Sequence, residues 1–494
     1  MSNVSLISSL PPEVLEHVFK RVAFDTAAEE RPFIALSLSH VCRSFRRVAL
    51  DCSHLWTGLS RRMGRPRIDF LEECIRRSKS QPLDVVITFY TIEGINEVGR
   101  VVVDDMLELI LPLRARWRSC SWQFLDEEGR GGEDIVSHTQ TERLPRDIDA
   151  PLLEEFSVTR WPGNDMPFSH FQDFLDEREG TVWNTPNVPA VTLKDSYPMM
   201  VPPQWRDHLH SLTVLLTRFT LTEDLRLLRR LLRTLPSLTS LRLSLVNYTI
   251  CICPVKFTET FPSVTSMSIE VLNCTQPYPR SHHLWKETRL FYFPNVVELR
   301  ITVDFGFGDG TEKDRLNTFG KFHINLYSLL AAGPDLQSRY PSLELLDITI
   351  LQRAGSKPNS KSKRKSPPTF LLPHCCIPSL KHLRIRSESP HWKLSDSAGE
   401  FKKSHPPYFE RGGQIVPINL ETVTFDLPCV DGVVLWVKRL ATKLQDTNCW
   451  NRFSDFKYAE DGKFVTVSRE EVEHWCETTE NQMKSQAPRK RKNA

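Results

Sequence analysis

Three clusters in this 494-residue chain hold residue types that do chemistry. His374-Cys375-Cys376 sets an imidazole beside two thiols, the ingredients of a nucleophile and its base. Gly306-Phe307-Gly308-Asp309-Gly310 is glycine-rich, as a phosphate-cradling loop is. Cys251 and Cys253 stand one residue apart, a close thiol pair. Each cluster lacks what its chemistry needs. No partner that would activate Cys375 or Cys376 can be placed from the sequence. The glycine run follows a strand-like segment without the helix opening that aims N–H groups at phosphate, so it reads as a loop. The twelve cysteines include no Cys-x-x-Cys, and no His-x-x-x-His accompanies them. They read as scattered buried thiols in a reducing compartment. No Gly-x-x-x-x-Gly-Lys, Gly-x-Ser-x-Gly or His-Glu-x-x-His occurs. The expectation is a chain with no catalytic residue, no metal and no cofactor. A hydrolase built on Cys375 or Cys376 is the enzyme reading left open.

Bulk properties point the same way. The 64 Lys and Arg against 61 Asp and Glu leave a net charge of +3, too little for a whole-surface nucleic-acid binder. Charged residues at 25% and hydrophobic ones at 40% are globular values, and the length suits one or two domains. No basic stretch leads into an apolar one at the N-terminus, and no apolar run approaches a membrane span. A soluble intracellular protein, cytoplasmic and/or nuclear, is expected. Lys361, Lys363, Arg364 and Lys365 lie in a Ser- and Pro-rich stretch, 353–368, that reads as a disordered loop. Arg489, Lys490, Arg491 and Lys492 form a basic tail. Either cluster is a candidate nuclear-import signal or simply solvated charge.

The elements that would position any site follow one repeating pattern. Pro236-Ser-Leu-Thr-Ser-Leu-Arg-Leu243 returns as Pro262–Ile269, Pro294–Ile301, Pro341–Ile348 and Pro378–Ile385. Pro151–Val158 and Pro186–Leu193 are weaker copies, the Ser211 run lacks the proline, and Pro417–Phe425 has one extra residue. The shared form, Pro-x-apolar-x-x-apolar-x-apolar, is the strand half of a leucine-rich repeat. Its apolar residues turn into the core and those between them face out. Stacked copies make a parallel sheet on the concave side of a solenoid, and nine strands at about 4.8 Å would span roughly 40 Å. The prolines are unevenly spaced, so the array is degenerate. A non-repeat α/β fold is the alternative.

Outward positions that would meet a ligand include Thr239, Arg242, Ser268, Arg300, Asp347, His382 and Arg384, a mixed set with no single ligand chemistry. Trp183, Trp205 and Trp436 are anchors or, as lone tryptophans more often are, packed residues. Glu223 to Leu235 reads as a helix with a leucine face, and Asp126 to Asp134 as an exposed loop. Tyr458 to Val467 reads as a hairpin about Asp461-Gly462, followed by a helix from Glu470 to Met483. Phe70 to Ser78 reads as a helix, Pro82 to Phe89 as a buried strand, and Leu107 to Trp117 as a helix–strand unit.

The first sixty residues differ. Pro11 and Pro12 suit a helix start, with Glu13 in the first turn. Val14, Leu15, Val18 and Phe19 follow on one apolar face. Asp25 to Arg31 interrupts the pattern and Pro32 restarts it. A second helix is predicted through Ile34, Leu36, Leu38, Val41 and Cys42, and a third around Phe45, Val48 and Ala49, ending near Leu55-Trp56. Three short helices are marginal alone and want a partner surface. A plain helical cap on a larger domain is the simpler reading of the spacing alone.

Leu10-Pro11-x-Glu13, Val41-Cys42-Arg43-x-Phe45-Arg46 and Leu55-Trp56, in that order, resemble an F-box. The trailing Leu-Trp and Leu38-Ser39-His40-Val41-Cys42-Arg43 resemble the version common in mushroom-type fungi, as does the Ala23–Phe33 link, longer than F-boxes commonly have. The resemblance implies a non-catalytic substrate-receptor subunit of a Skp–cullin–F-box ubiquitin ligase. Carried over by position, Leu10, Pro11, Leu15, Val18, Phe19, Leu36, Val41, Cys42 and Phe45 would contact a Skp-type adaptor or support that contact, while the repeats hold an unknown protein target. A repeat scaffold without a ligase role is the alternative. The expected architecture is α/β: an F-box-like helical domain over 1–62, a connecting region and solenoid N-cap over 63–150, degenerate leucine-rich repeats over 151–445, a hairpin and helix cap over 446–484, and a disordered tail over 485–494.

Overall fold

The computed structural model describes residues 10–62, 65–92, 100–103, 106–126, 147–160, 182–185, 188–196, 201–217, 222–246, 259–272, 291–305, 339–352, 369–370, 377–387, 393–394, 419–427, 433–460 and 463–475. They fall into two compact units, Met1–Leu215 with Thr234–Ser237, and Leu216–Arg233 with Leu238–Ala494.

The first unit opens with helices α1 (Pro12–Asp25), α2 (Arg31–Ser39) and α3 (Arg43–Asp51). Pro12 and Pro32 sit in the first turns of α1 and α2, where a missing N–H costs nothing. The predicted second helix is too long: α2 ends at Ser39, with the His40 N–H on the Ser37 carbonyl at 3.2 Å. Cys42 is extended, and its thiol accepts the Phe45 N–H at 3.5 Å, so it caps α3 instead of closing α2. Strand β1 (Gly58–Ser60), helix α4 (Ile68–Ser78) and strand β2 (Leu83–Ile92) follow. Then come β3 (Arg100–Val103), α5 (Met106–Ile110), β4 (Trp117–Asp126), β5 (Asp147–Asp149), β6 (Glu155–Arg160), β7 (Val182–Asn184), β8 (Ala190–Lys194) and β9 (Ser211–Leu216). Asp126, expected to open a loop, ends β4. The strands run β1-β2-β4-β6-β8-β9, all parallel, with β3 antiparallel on β2 and β5 paired with β7.

The second unit holds α6 (Thr222–Arg233), β10 (Ser240–Val246), β11 (Glu259–Thr260), β12 (Ser266–Leu272), β13 (Phe291–Tyr292), β14 (Glu298–Phe305), β15 (Leu345–Gln352), β16 (Thr369–Phe370), β17 (His382–Ser387), β18 (Lys393–Leu394), β19 (Thr422–Asp426), α7 (Val433–Asp446), β20 (Asp455–Glu460) and β21 (Lys463–Ser468). Its main sheet runs β10-β12-β14-β15-β17-β19-β20-β21, parallel until the β20–β21 hairpin. Residues 469–475 are helical.

Every repeat copy read from the sequence is a strand of these sheets, and the register stacks like on like. Leu241, Met267, Leu299, Leu346, Leu383 and Val423 align across the second unit; so do Leu243, Ile269, Ile301, Ile348, Ile385 and Phe425. All twelve are buried. The proline occupies the second position of a turn closed by N–H to carbonyl bonds, Leu343 to Tyr340 at 3.1 Å and Leu380 to Ile377 at 3.3 Å. The residue before it is also buried: Leu235, Phe261, Phe293, Tyr340 and Ile377. Phe261 and Phe293 meet at 5.6 Å between ring centroids, and Phe293 and Tyr340 stack at 6.4 Å. Each strand start repeats one motif as well: Thr239 O accepts from Thr265 and Ser266, Thr265 O from Val297 and Glu298, and Val297 O from Glu344 and Leu345. Recurrence of one backbone geometry at uneven sequence spacing is what a degenerate solenoid requires.

Two further copies without the proline emerge only in the structure: Trp117-x-x-Cys120-x-Trp122 in β4 and Phe453-x-x-Phe456-x-Tyr458 leading into β20. Their apolar spacing matches the repeat. Ring contacts Phe89–Trp122, Trp122–Phe156 and Phe156–Trp205, at 5.5, 5.4 and 5.0 Å, carry the core through the first unit.

Candidate functional site

The apolar residues of α1 divide into two stripes. Leu15, Phe19 and Ala23 are buried, with Phe19 edge-on to Phe45 of α3 at 5.2 Å between centroids. Val14 and Val18 lie one helical step round and are 43% and 46% exposed, and Leu10, just before the helix, is 38% exposed. Positions 14, 15, 18 and 19 span about 140° of a helix, wider than the core contact needs. The single apolar face expected from spacing is therefore a buried half and an open half. Val41, between α2 and α3, is 62% exposed. Phe24 and Phe33 are also exposed. Six of the ten large exposed hydrophobics among the described residues fall within 10–41. A contiguous exposed apolar patch is the usual signature of an interaction site, and this segment supplies most of the candidates for one among the described residues.

Of the nine adaptor candidates, Leu10, Pro11, Val18 and Val41 are exposed, Leu36 and Cys42 half-buried, and Leu15, Phe19 and Phe45 buried in the helical core. Val14 belongs with the exposed set; its i, i+4 spacing to Leu10 and Val18 was the signal for it. Trp56 is buried, and its indole N–H donates to the Ala49 carbonyl at 2.9 Å.

The strand face opposite the core gathers five of the seven outward candidates into one lateral row of the second unit, Arg242, Ser268, Arg300, Asp347 and Arg384. His382 lies in the neighbouring row, 2.9 Å from the Thr422 hydroxyl, and Thr239 at a strand start. Arg242 pairs with Glu270, Arg300 with Glu298 at 2.6 Å, and Asp347 with Arg386 at 3.5 Å and Arg384 at 3.8 Å. The Arg242–Glu270 pair and the Asp347 pairs bridge neighbouring strands and Arg300–Glu298 lies within β14, so this face presents no single sign. Trp205 and Trp436 are buried and so packed, Trp205 donating to the Thr185 hydroxyl at 2.5 Å; Trp183 lies in β7.

Cys251, Cys253, Gly306–Gly310, His374–Cys376, residues 353–368, Asp461-Gly462 and Arg489–Lys492 lie outside the described residues. Among the described residues no group of His, Cys, Asp or Glu is arranged for a metal, and no helix is long and apolar enough to cross a membrane. Burial pushes the thiols of Cys74 and Cys120 up to about 12. A thiol so shifted is almost wholly protonated at neutral pH and a poor nucleophile. Iodoacetamide at pH 8 is expected to leave both unlabelled in the native chain and to reach them only in denaturant. Native-state modification of either, seen by peptide mass spectrometry, would contradict their placement.

Comparison with known proteins agrees with the N-terminal geometry. Residues 7–62 match the family model described as F-box-like. No curated protein sequence matches the chain. A crystal structure of a Bacteroides fragilis protein aligns over 66% of this chain and 70% of its own, at 13% identity and a TM-score of 0.25. That likeness is too low to support the fold, which rests on the strand registers above. Three helices packed around Phe19 and Phe45, an open apolar stripe and the family match together make residues 7–62 an F-box-like domain.

Proposed function

We propose that this chain is the substrate-receptor subunit of a Skp–cullin–F-box type ubiquitin ligase. The single observation that carries the reading is the open stripe Leu10, Val14 and Val18, together with the exposed Val41 between α2 and α3, on an F-box-like domain. Water contact with this much aliphatic surface is unfavourable, and covering it on a Skp-type adaptor removes it at about 25 cal/mol per Å². Leu10, Pro11, Val14, Val18 and Val41 would touch the adaptor. Leu15, Phe19 and Phe45 would hold the helices in place from beneath, with Leu36 and Cys42 at the margin. The repeats would hold a protein target, and the adaptor would bring the cullin–RING module to it. Such a receptor acts by proximity and needs no acid, base or nucleophile of its own. It would work in the cytoplasm or nucleus, with Arg489–Lys492 as the import signal.

The full chain is expected to form a one-to-one complex with a purified Skp-type adaptor on size exclusion. Leu10→Ala with Pro11→Ala is expected to weaken that complex while leaving the circular dichroism spectrum unchanged. Absence of any complex with the wild-type chain would overturn the reading and leave a repeat scaffold without a ligase role.

A further inference from the structure

The helices are not strung to the repeats by a loose linker. Strand β1, which follows directly on Leu55-Trp56, pairs in parallel with β2, Gly58 opposite Asp84. The turn between α1 and α2 closes over this joint. A Cβ placed on Gly58 would lie 1.8 Å from the Ala28 carbonyl oxygen, so this turn approaches β1 as closely as only glycine permits. Arg31, at the end of the turn, donates through Nε to the carbonyls of Ala23 at 2.8 Å and Thr26 at 3.2 Å. Its Nη1 reaches Asp84 on β2.

Asp84 is the hub. Its side chain is 4% exposed, and Arg31's is 12% exposed. From β4, Arg118 Nε donates to it at 3.1 Å and the Ser119 hydroxyl at 2.8 Å. One buried carboxylate thus ties the α1–α2 turn to the first two long strands of the sheet. Two further ties flank it. Arg77 of α4 donates to the Leu50 carbonyl at 2.8 Å and lies 5.2 Å from the Trp56 ring centroid. Arg116 joins Ser78 Oγ and the Gln81 carbonyl, both at 2.8 Å.

We infer that Arg31, Gly58 and Asp84 are positioning residues that hold the F-box-like helices in one orientation on the repeat sheet. The link expected over Ala23–Phe33 is shorter in the structure, because α1 runs to Asp25 and α2 starts at Arg31; the Thr26–Glu30 turn, with Arg31 after it, is the element that makes the attachment. A buried ion pair adds little net stability, because its desolvation offsets its attraction, so the role inferred for this one is geometric. What this orientation does for ubiquitin transfer rests on the receptor reading; the attachment itself does not.

Arg31→Met tests it without stranding a charge, since Asp84 keeps Arg118 and Ser119. Genetically encoded spin labels at His17 and Thr192, both exposed, report the distance from α1 to β8 in the full chain. The wild type is expected to give one narrow distance distribution and Arg31→Met a broad one. Loss of a hydrogen bond to a charged group should also speed amide exchange in α2 by about tenfold, with β6 and β8 unchanged. Gly58→Ala, which forces the turn away without touching a charge, should broaden the distances in the same way. Distributions as narrow as wild type in both variants, or exchange that accelerates equally in β6 and β8, would overturn the inference. Adaptor affinity is measured alongside and should be nearly unchanged in both variants. If the wild type itself fails to bind adaptor, the receptor reading falls while the distance result stands on its own.

Discussion

A chain carrying Val14→Asp and Val18→Asp is expected to fold as the wild type does and to bind a Skp-type adaptor about 100-fold more weakly or worse. The arithmetic is simple. Completing the burial of a valine that is already half covered contributes roughly 0.75 kcal/mol or more, and two of them alone account for about a factor of ten. Each aspartate adds the cost of desolvating a carboxylate against an apolar partner. Folding should be spared because both positions are close to half exposed on α1, outside the buried set Leu15, Phe19 and Ala23. Isothermal titration with purified adaptor measures the first effect and thermal melting the second. Binding within a factor of a few of wild type, in a chain that melts normally, would remove the stripe from the interface and with it the main support for the receptor reading.

That experiment depends on a division the sequence showed only in part. Val14, Leu15, Val18 and Phe19 are equally apolar, and periodicity puts them on one face. Which half of a wide face is buried is decided by α3, which presents Phe45 to Phe19. Nothing local to α1 carries that information. The repeats were far more legible, because proline, the apolar triplet and strand stacking all restate one geometry. Even there the reading leaned on proline. The copies in β4 and β20 keep the apolar spacing but lack proline, and their identity rests on the pairing of β4 with β2 and β6, and of β20 with β19. The buried residue before each proline was legible in principle, since Phe261, Phe293 and Tyr340 are aromatic in succession. The Asp84 hub was not. A carboxylate in a strand reads as an outward residue, and its partners stand 53 and 34 positions away.

The Leu55-Trp56 pair illustrates the same limit and carries the other large effect. In sequence it is part of the resemblance to an F-box; in the structure it is a joint. Leu55 and Trp56 are fully buried, the indole N–H bonds the Ala49 carbonyl of α3, and Arg77 of α4 lies against the ring. Trp56→Ala is expected to destabilise the first unit by about 3–5 kcal/mol, the range for removing a buried aromatic and leaving its cavity. Trp56→Phe keeps most of the ring and loses the hydrogen bond, leaving the Ala49 carbonyl without that donor, so a loss of about 1–3 kcal/mol is expected. Denaturant melts of both variants separate the two contributions. Adaptor binding should follow stability here: nearly intact for Trp56→Phe, and recovered for Trp56→Ala on cooling, because neither change touches the exposed stripe. A folded Trp56→Ala chain that still failed to bind would mean that the Leu-Trp pair meets the adaptor directly, and that the buried position found for it does not hold in the complex.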